Sequence, residues 1–319
     1  YNWLKQYIDI DKDQETLSEI LTNIGLEVEG IEEWLSVEGG LEGIIIGQVL
    51  ECSQHPNADK LSLTKVDIGS GDPLSIVCGA PNVARGQKVA VATIGTKLSF
   101  GDRELLIKKS KIRGELSEGM ICAEDEIGMG NSHEGIMVLD ESAAIGTPAS
   151  EYFTVEKDSI FEIGLTPNRI DGGSHFGVAR DLAAFFNKEA ECHAIKPDIS
   201  GFKPDNNSLH IPVIVENIEA CPRYTGITIS NVKVADSPQW IQNRLRAIGL
   251  SPINNVVDIT NYVLHEMGQP LHAFDADRIK GAKVIVKNLP DRTRFITLDE
   301  VERELSSKDL MICNEEGAM

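Results

Sequence analysis

The sequence predicts an α+β protein of several domains: a small mixed α/β domain that is interrupted by an inserted β-barrel and followed by a further α+β region. Its 319 residues are enough for two or three domains. Between residues 39 and 151, short apolar runs alternate with Gly and Pro turns, which is typical of a small barrel. Mixed helix and strand patterns lie on both sides of that stretch. This order favours an insertion, which is tolerated when the two ends of the insert are close together.

The interrupted domain is assigned to residues 1–38 and 152–190. Residues 1–38 predict a strand, a helix and a second strand. The helix is indicated by one apolar face, with Gly25 at its C-terminal end; the face consists of Leu17, Ile20, Leu21 and Ile24. In the second segment, Ser174 is placed to cap a helix with a buried stripe made of Val178, Leu182, Phe185 and Phe186.

The barrel is assigned to residues 39–151. Its strand candidates are 43–50, 61–68, 74–78 and 88–94. Residues 191–208 predict a linker, and residues 209–319 a further α+β region. There, Ser237-Pro238 predicts a helix start and Gly249 its end, with strands at 283–287 and 309–313.

Composition excludes several classes of protein. No apolar run approaches the length of a membrane span. The six cysteines are scattered and form no CxxC, which favours reduced thiols and a cytoplasmic protein. A net charge of −20 argues against a free-standing nucleic-acid binder. Any affinity for nucleic acid must therefore come from a local basic surface, from other domains or from a partner chain.

One basic cluster lies in the barrel, where four of six consecutive residues are cationic: Lys108, Lys109, Lys111 and Arg113. Two interpretations stay open. The cluster could contact phosphates, because lysine and arginine supply many protein–nucleic acid contacts. It could equally be a solvated strand edge, where lysine protects against aggregation.

The stretch 254–275 sets polar residues among apolar neighbours. Thr260, Asn261 and His272 predict either an internal hydrogen-bond network or a ligand pocket. Other motifs are incomplete. His265-Glu266 lacks the second histidine of a zinc-protease helix, Cys52 and His55 lack further metal ligands, and no phosphate-cradling loop is present. We therefore predict no metal site.

Three peptides of the barrel carry a family resemblance. They are His55-Pro56-Asn57-Ala58-Asp59-Lys60-Leu61, Ile76-Val77-Cys78-Gly79-Ala80-Pro81-Asn82 and Lys111-Ile112-Arg113-Gly114-Glu115-Leu116-Ser117-Glu118-Gly119-Met120. In this order and spacing they resemble the tRNA-binding OB-fold module of several tRNA-handling proteins. Together with Leu165-Thr166-Pro167-Asn168-Arg169 and Gln269-Pro270-Leu271-His272-Ala273-Phe274-Asp275, the whole chain resembles the β subunit of bacterial phenylalanyl-tRNA synthetases.

The resemblance implies a function for each region. In that family the α subunit activates phenylalanine with ATP and Mg²⁺, and two α and two β chains form a heterotetramer. The β subunit supplies contacts to tRNA(Phe), structural support and a site that hydrolyses tyrosyl-tRNA made by mistake. Residues 209–319 would be an incomplete part of that editing domain. No cofactor is expected to be bound by this chain itself, and we interpret it as an N-terminal fragment.

Site residues follow from the matching motifs. Thr260 and Asn261 match pocket-lining positions, and His272 matches the editing-pocket histidine, to which we assign an orienting role with water as the nucleophile. Lys108, Lys109, Lys111 and Arg113 are assigned to tRNA binding.

Three departures separate the chain from the family pattern. Ser251 stands where the family often has arginine, and Glu300 replaces the glycine of a Leu-Asp-Gly turn. The glutamate that recognises the tyrosine hydroxyl lies beyond Met319. Two rivals therefore stay open: a non-enzymatic module that only binds tRNA, and a scaffold whose editing site no longer works.

Overall fold

The structure, a computed structural model, describes residues 1–100, 103–130, 132–188 and 191–319. The helices are α1 Gln14–Asn23, α2 Ala149–Tyr152, α3 His175–Phe186, α4 Gln239–Ala247 and α5 Asn255–Met267. The strands up to residue 164 are β1 Glu27–Leu35, β2 Ile44–Gln54, β3 Ser62–Asp67, β4 Leu74–Cys78, β5 Lys88–Thr93, β6 Lys97–Phe100, β7 Arg103–Leu106, β8 Ser110–Ile112, β9 Glu115–Ser117, β10 Gly119–Ile121, β11 Val138–Leu139 and β12 Lys157–Gly164. The later strands are β13 Val213–Val215, β14 Val284–Asn288, β15 Arg294–Ile296, β16 Glu302–Glu304 and β17 Leu310–Cys313.

The chain forms two compact units. The first comprises Tyr1–Lys5, Ile10–Leu165 and Asn243–Ser251, and the second comprises Gln6–Asp9, Thr166–Gln242 and Pro252–Met319. These units group the residues differently from the domain boundaries predicted above, which stay a prediction.

A strongly bent antiparallel sheet dominates the first unit. Its strands run in the order β10-β5-β2-β3-β4, and β11 also pairs with β5. All four predicted barrel strands are confirmed. The two edges of the sheet approach each other, because the Glu118 N–H, one residue before β10, donates to the carbonyl of Ser75 in β4 at 2.8 Å.

The interior of this sheet is filled by β-branched residues, which pack well on a pleated surface. Ile46, Val49, Val66, Val89 and Val91 are fully buried. Glycine is required at position 47, because a Cβ there would lie 2.9 Å from Cγ1 of Val66 and 3.0 Å from the carbonyl oxygen of Asp67. A side chain at position 47 would therefore displace the packing of β2 against β3 and β5.

Strand β1 pairs antiparallel with β12, although the barrel lies between them in sequence. Glu27 faces Gly164 and Leu35 faces Lys157. The two ends of the barrel segment therefore lie close together, which is the condition under which an insertion is tolerated.

The predicted strand at the start of the chain is wrong. Leu4–Gln6 form a short 3-10 helix, and Trp3, Leu4, Tyr7 and Ile8 are buried. The apolar pair at positions 3 and 4 recurs four residues later, a spacing that suits a helical turn and not the alternation of a strand.

The predicted helices at 17–24, 174–186 and 239–249 are present. Asp13 caps α1 by accepting from the Thr16 N–H, and Ser174 caps α3 by accepting from the Gly177 N–H. Gly25 and Gly249 follow α1 and α4 with φ angles of 89° and 81°, the left-handed backbone that favours glycine.

The second unit contains a three-stranded sheet in the order β13-β14-β17, with β13 parallel and β17 antiparallel to β14. Both predicted strands of this region are confirmed as β14 and β17. In the part of the chain that the structure describes, no helix is long and apolar enough to cross a membrane.

Candidate functional site

The basic cluster lies on a projecting hairpin of the first unit. Ile112 faces Glu115 across β8 and β9, so Arg113 and Gly114 form a two-residue turn. Their φ angles are 54° and 99°, and positive φ at both positions is the requirement of the hairpin turn that matches strand twist. Lys108, Lys109, Lys111 and Arg113 are all exposed. The hairpin thus presents its cations to solvent.

The four cations are not equivalent. The Lys109 ammonium lies 2.8 Å from Oε1 of Glu118, and this partner holds the pKa of the Glu118 carboxyl below its usual range. Among the described residues, Lys108, Lys111 and Arg113 form no ion pair. Of these four cations, Lys109 alone has an ion-pair partner within the part of the chain that the structure describes.

A groove of about 560 Å³ opens beside this hairpin. Its apolar wall includes Leu105, Leu106, Ile112 and Met120, and Lys108 lies on its rim. Leu105 and Leu106 are each 42% exposed. The groove therefore combines an apolar wall with a cationic edge.

All three motif peptides of the barrel meet at this groove. The Gly79-Ala80-Pro81 turn and Met120 line it directly. The first peptide reaches it through His55, whose Nε2 lies 3.4 Å from the carbonyl oxygen of Ile112. Peptides that are far apart in sequence therefore form one surface.

His55 is buried, with 2% of its surface exposed. Its Nδ1 accepts from the Asn57 N–H at 3.0 Å, so Nε2 carries the proton of the neutral ring and donates to Ile112. The side-chain amide of Gln54 donates to the carbonyls of Ala58 and Asp59 in the same loop. Backbone hydrogen bonds, such as that from the His55 N–H to the Leu61 carbonyl at 3.0 Å, close the same loop, so side chains and backbone hold it together.

On the other side of the groove, Nδ1 of His133 lies 2.9 Å from Oδ2 of Asp125. The hydrogen bond to Asp125 raises the pKa of His133 above its usual value. Glu126 accepts from the Ala123 N–H and also lines the groove. The groove is therefore also lined by two polar side chains, His133 and Glu126, beside apolar residues such as Ile136.

In the second unit, Thr260 and Asn261 lie in the middle of α5. Both are half-buried, and the Thr260 hydroxyl donates to the Val257 carbonyl one turn earlier at 2.6 Å. His272 follows the helix in an exposed segment, where its ring stacks beside Phe274 at 6.4 Å between centroids. Within the described residues, no hydrogen bond joins His272 to Thr260 or Asn261.

The fully buried polar residue of this region is Asp258, which the sequence interpretation missed. Its Oδ2 accepts from the Ser237 hydroxyl at 2.5 Å, and its Oδ1 accepts from the Ile253 N–H at 2.8 Å. The signal was available, because a carboxylate between Val257 and Ile259 in an apolar run needs partners if it is buried.

In the four described stretches, no three His, Cys, Asp or Glu side chains are grouped so that they could hold a metal ion. The six cysteines are free thiols.

Comparison with protein families assigns both regions. Residues 44–148 match the model described as a putative tRNA binding domain, and residues 220–319 match the B3/4 domain. The first match contains the groove and the basic hairpin, and the second contains α5 and His272. The α+β, multidomain character of the chain agrees with both.

Similar proteins cover the whole chain. It is 57% identical to the phenylalanine–tRNA ligase beta subunit of Bacteroides fragilis over all of its own length and 39% of that protein. The beta subunits of Porphyromonas gingivalis and Geobacter metallireducens are 52% and 46% identical over 99% and 98% of the chain, and 39% and 38% of their own lengths. The chain spans about two fifths of the length of these curated relatives. It belongs to the family of phenylalanine–tRNA ligase beta subunits.

Proposed function

We propose that this chain is the tRNA-binding and editing part of a phenylalanine–tRNA ligase, acting in the cytoplasm within a heterotetramer of two α and two β chains. The observation that carries the proposal is 57% identity to a beta subunit across the entire chain. Aminoacylation is assigned to the α partner, which uses ATP and Mg²⁺. No residue of this chain is assigned to either cofactor.

The domain organisation that we propose has an OB-fold barrel, residues 39–151, inserted into a domain formed by 1–38 and 152–190. Residues 191–208 link it to the editing region, 209–319. The approach of the two sheet edges through Glu118 and Ser75 supports a barrel, and the pairing of β1 with β12 supports an insertion.

The barrel is proposed to bind tRNA(Phe) through the groove and the hairpin beside it. Lys108, Lys111 and Arg113, which have no ion-pair partner among the described residues, supply cations for phosphates, and the apolar wall offers a surface for an unstacked base. With a net charge of −20 on the chain, this contact is weak and salt-sensitive. Its role is to help orient a tRNA that other parts of the complex also hold.

Editing meets a physical need of the synthetase. An apolar pocket that accepts phenylalanine rejects a ligand with one extra hydroxyl only by about a hundredfold. A second site can hydrolyse the tyrosyl ester. Water adds to the ester carbonyl, the bond to the terminal ribose oxygen breaks, and that oxygen takes a proton, which yields tyrosine and tRNA.

In this reaction His272 is proposed to orient the ester end of the tRNA, while Thr260 and Asn261 line the pocket. The exposure of His272 supports access by a large substrate, and the half-buried positions of Thr260 and Asn261 suit a pocket wall. All three lie inside the region that matches the B3/4 domain.

A second candidate is a tRNA-binding scaffold without working editing. Glu300 favours it: in place of the glycine of the family pattern, this glutamate adopts a φ of 60° in an exposed turn, so a side chain occupies a position that suits close backbone approach. Ser251 removes an arginine that could contact the tRNA end.

The two candidates are separated by measuring hydrolysis of tyrosyl-tRNA(Phe) by the full-length β chain assembled with its α partner. Fast hydrolysis that His272→Ala abolishes supports editing. No hydrolysis by the intact complex, with aminoacylation retained, supports the scaffold. The 319-residue chain alone, measured in parallel, tests whether the missing part is needed, and we expect it to be inactive.

A further inference from the structure

We propose that Asp258 is a positioning residue for the hydrolytic site: its buried carboxylate sets the orientation of α5 and thereby the direction in which Thr260 and Asn261 face. This inference rests on the editing function proposed above. It adds a residue, and a physical link to Ser237 and Ile253, that neither the motif match nor the family comparison supplied.

The carboxylate of Asp258 is buried and bonds to two separate segments of the chain. Asp258 has no exposed surface, and Ser237, its hydroxyl partner, is only 5% exposed. The two oxygens of Asp258 accept from different parts of the chain, Oδ2 from Ser237 just before α4 and Oδ1 from Ile253 in the segment between α4 and α5. One side chain therefore ties α5 to the segments at both ends of α4.

Asp258 lies near the N-terminal end of α5. Asn254 caps the helix by accepting from the Val256 and Val257 N–H groups. Asp258 follows in the first turns, where the helix dipole favours a negative charge. At about 100° per residue, Asp258 lies about 60° from Asn261 and about 200° from Thr260 around the helix axis. Fixing Asp258 against Ser237 and Ile253 therefore fixes the faces of both pocket residues.

The C-terminal end of α5 is held by separate hydrogen bonds. The Tyr7 hydroxyl donates to Oε1 of Glu266 at 2.7 Å, and Nδ1 of His175 lies 2.8 Å from the carbonyl oxygen of His265. Gly268 ends the helix with a φ of 75°. Because the C-terminal end of α5 is held in this way, the hydrogen bonds of Asp258 fix the position of its first turns.

A buried carboxylate at position 258 selects one arrangement of the helix, which an apolar side chain would not do. Burying a charge is costly unless it is paired or hydrogen-bonded, so an apolar residue would serve packing alone at lower cost. A satisfied polar network, in contrast, selects one arrangement of its elements. A hydrolytic site needs that selectivity, since a displacement of about 1 Å can reduce a rate about a hundredfold.

The test uses the full-length β chain assembled with its α partner and four variants: Asp258→Ala, Asp258→Asn, Ser237→Ala and Asn254→Ala. Asn254→Ala is the matched control, because it weakens the start of the same helix and leaves the bonds of Asp258 in place. The substrates are preformed tyrosyl-tRNA(Phe) and phenylalanyl-tRNA(Phe). For each variant we would measure kcat and KM of hydrolysis, the ratio between the two substrates, aminoacylation and thermal stability.

We expect Asp258→Ala and Ser237→Ala to lower kcat for tyrosyl-tRNA hydrolysis by about tenfold or more. KM and aminoacylation should change little, because tRNA is held mainly elsewhere. The preference for the tyrosyl ester should fall, a change that a smaller folded fraction cannot produce. Asp258→Asn should recover much of the activity, because its amide can still accept from Ile253. Asn254→Ala should retain the wild-type preference.

The inference fails alone if the wild type edits and Asp258→Ala keeps both its rate and its preference. It also fails if Asn254→Ala and Asp258→Ala have the same thermal stability and lower the hydrolysis rate by the same factor, because the bonds of Asp258 would then have no specific effect. If Asp258→Ala does not assemble, Ser237→Ala decides between the same outcomes. Absence of hydrolysis by the wild-type complex overturns the proposed editing function and this inference together.

Discussion

The ammonium nitrogen of Lys109 lies 2.8 Å from a carboxylate oxygen of Glu118, so one cation of the basic hairpin is already paired within the protein. An exposed ion pair of this kind contributes little to stability. It does change what the cation offers to a nucleic acid, because a phosphate must compete with Glu118. The contribution of each cation to tRNA binding is therefore expected to differ.

The first prediction concerns the salt dependence of tRNA binding. Replacing Lys108, Lys111 and Arg113 by alanine should reduce the slope of log affinity against log salt by up to about 0.7–0.9 for each lost phosphate contact. Lys109→Ala should change the slope less, because Lys109 is neutralised in advance. Fluorescence anisotropy with labelled tRNA(Phe) at several salt concentrations measures both slopes.

Glu118→Gln is the control for this prediction. It frees Lys109 and should increase the slope. An unchanged slope after all four cations are neutralised would remove the hairpin from the tRNA contact.

The second prediction concerns His55. Alanine at this position would leave the Asn57 N–H and the Ile112 carbonyl without their partner and open a cavity, at a cost of about 1–3 kcal/mol. Urea unfolding and hydrogen exchange at the Asn57 amide would measure the loss. His133→Ala is the comparison, since that side chain is 73% exposed and should have little effect on stability. Equal stability of the His55→Ala protein would contradict the structural role of this loop.

The third prediction concerns Glu300, whose φ of 60° is unfavourable for a side chain. Glycine should relieve a strain of about 1–2 kcal/mol, and its greater freedom in the unfolded state offsets about 0.5–1 kcal/mol of that. We expect Glu300→Gly to stabilise the β15–β16 hairpin slightly, as measured by hydrogen exchange. Glu302→Gly, placed in the extended backbone of β16, should destabilise it. The same sign for both variants would refute the argument from backbone conformation.

The fourth prediction concerns thiol reactivity. Burial raises the pKa of the Cys122 thiol to about 12, and the side chain is inaccessible. Cys192 is partly exposed. Iodoacetamide near neutral pH should therefore modify Cys192 in the native protein and reach Cys122 only after unfolding, because the thiolate is the reactive form. Peptide mass spectrometry of timed samples measures both, and early modification of Cys122 would disprove its burial.

The fifth prediction concerns pH. Burial lowers the pKa of His265 below its usual 6.5. Between the folded and unfolded pKa values, the unfolded chain binds more protons, so stability is present above about pH 6.5 and is lost as the pH falls through the folded value. His265→Gln should flatten the stability profile below about pH 6.5. An NMR titration that places the pKa of His265 above 6.5 would reverse the expected sign.

Much of the local structure could be predicted because short periodic patterns of apolar residues indicate helices and strands. The apolar face from Leu17 to Ile24 predicted α1, and the runs at 43–50 and 88–94 predicted β2 and β5. The start of the chain was wrongly predicted to be a strand, although its buried residues, Trp3, Leu4, Tyr7 and Ile8, have a helical spacing. The family could also be predicted from the sequence, since it depends on the order and spacing of motifs and not on tertiary contacts.

Short sequence patterns were enough to predict helices such as α1 and α3 and strands such as β2 and β5, because each depends on neighbours within a few positions. Only the tertiary structure decided that His55 meets Ile112, 57 residues away, that Lys109 is paired with Glu118, and that Asp258 rather than Thr260 is buried. Such contacts depend on which strands pair and how a helix is rotated. Burial and hydrogen bonding across the fold select those arrangements, and no local pattern encodes them.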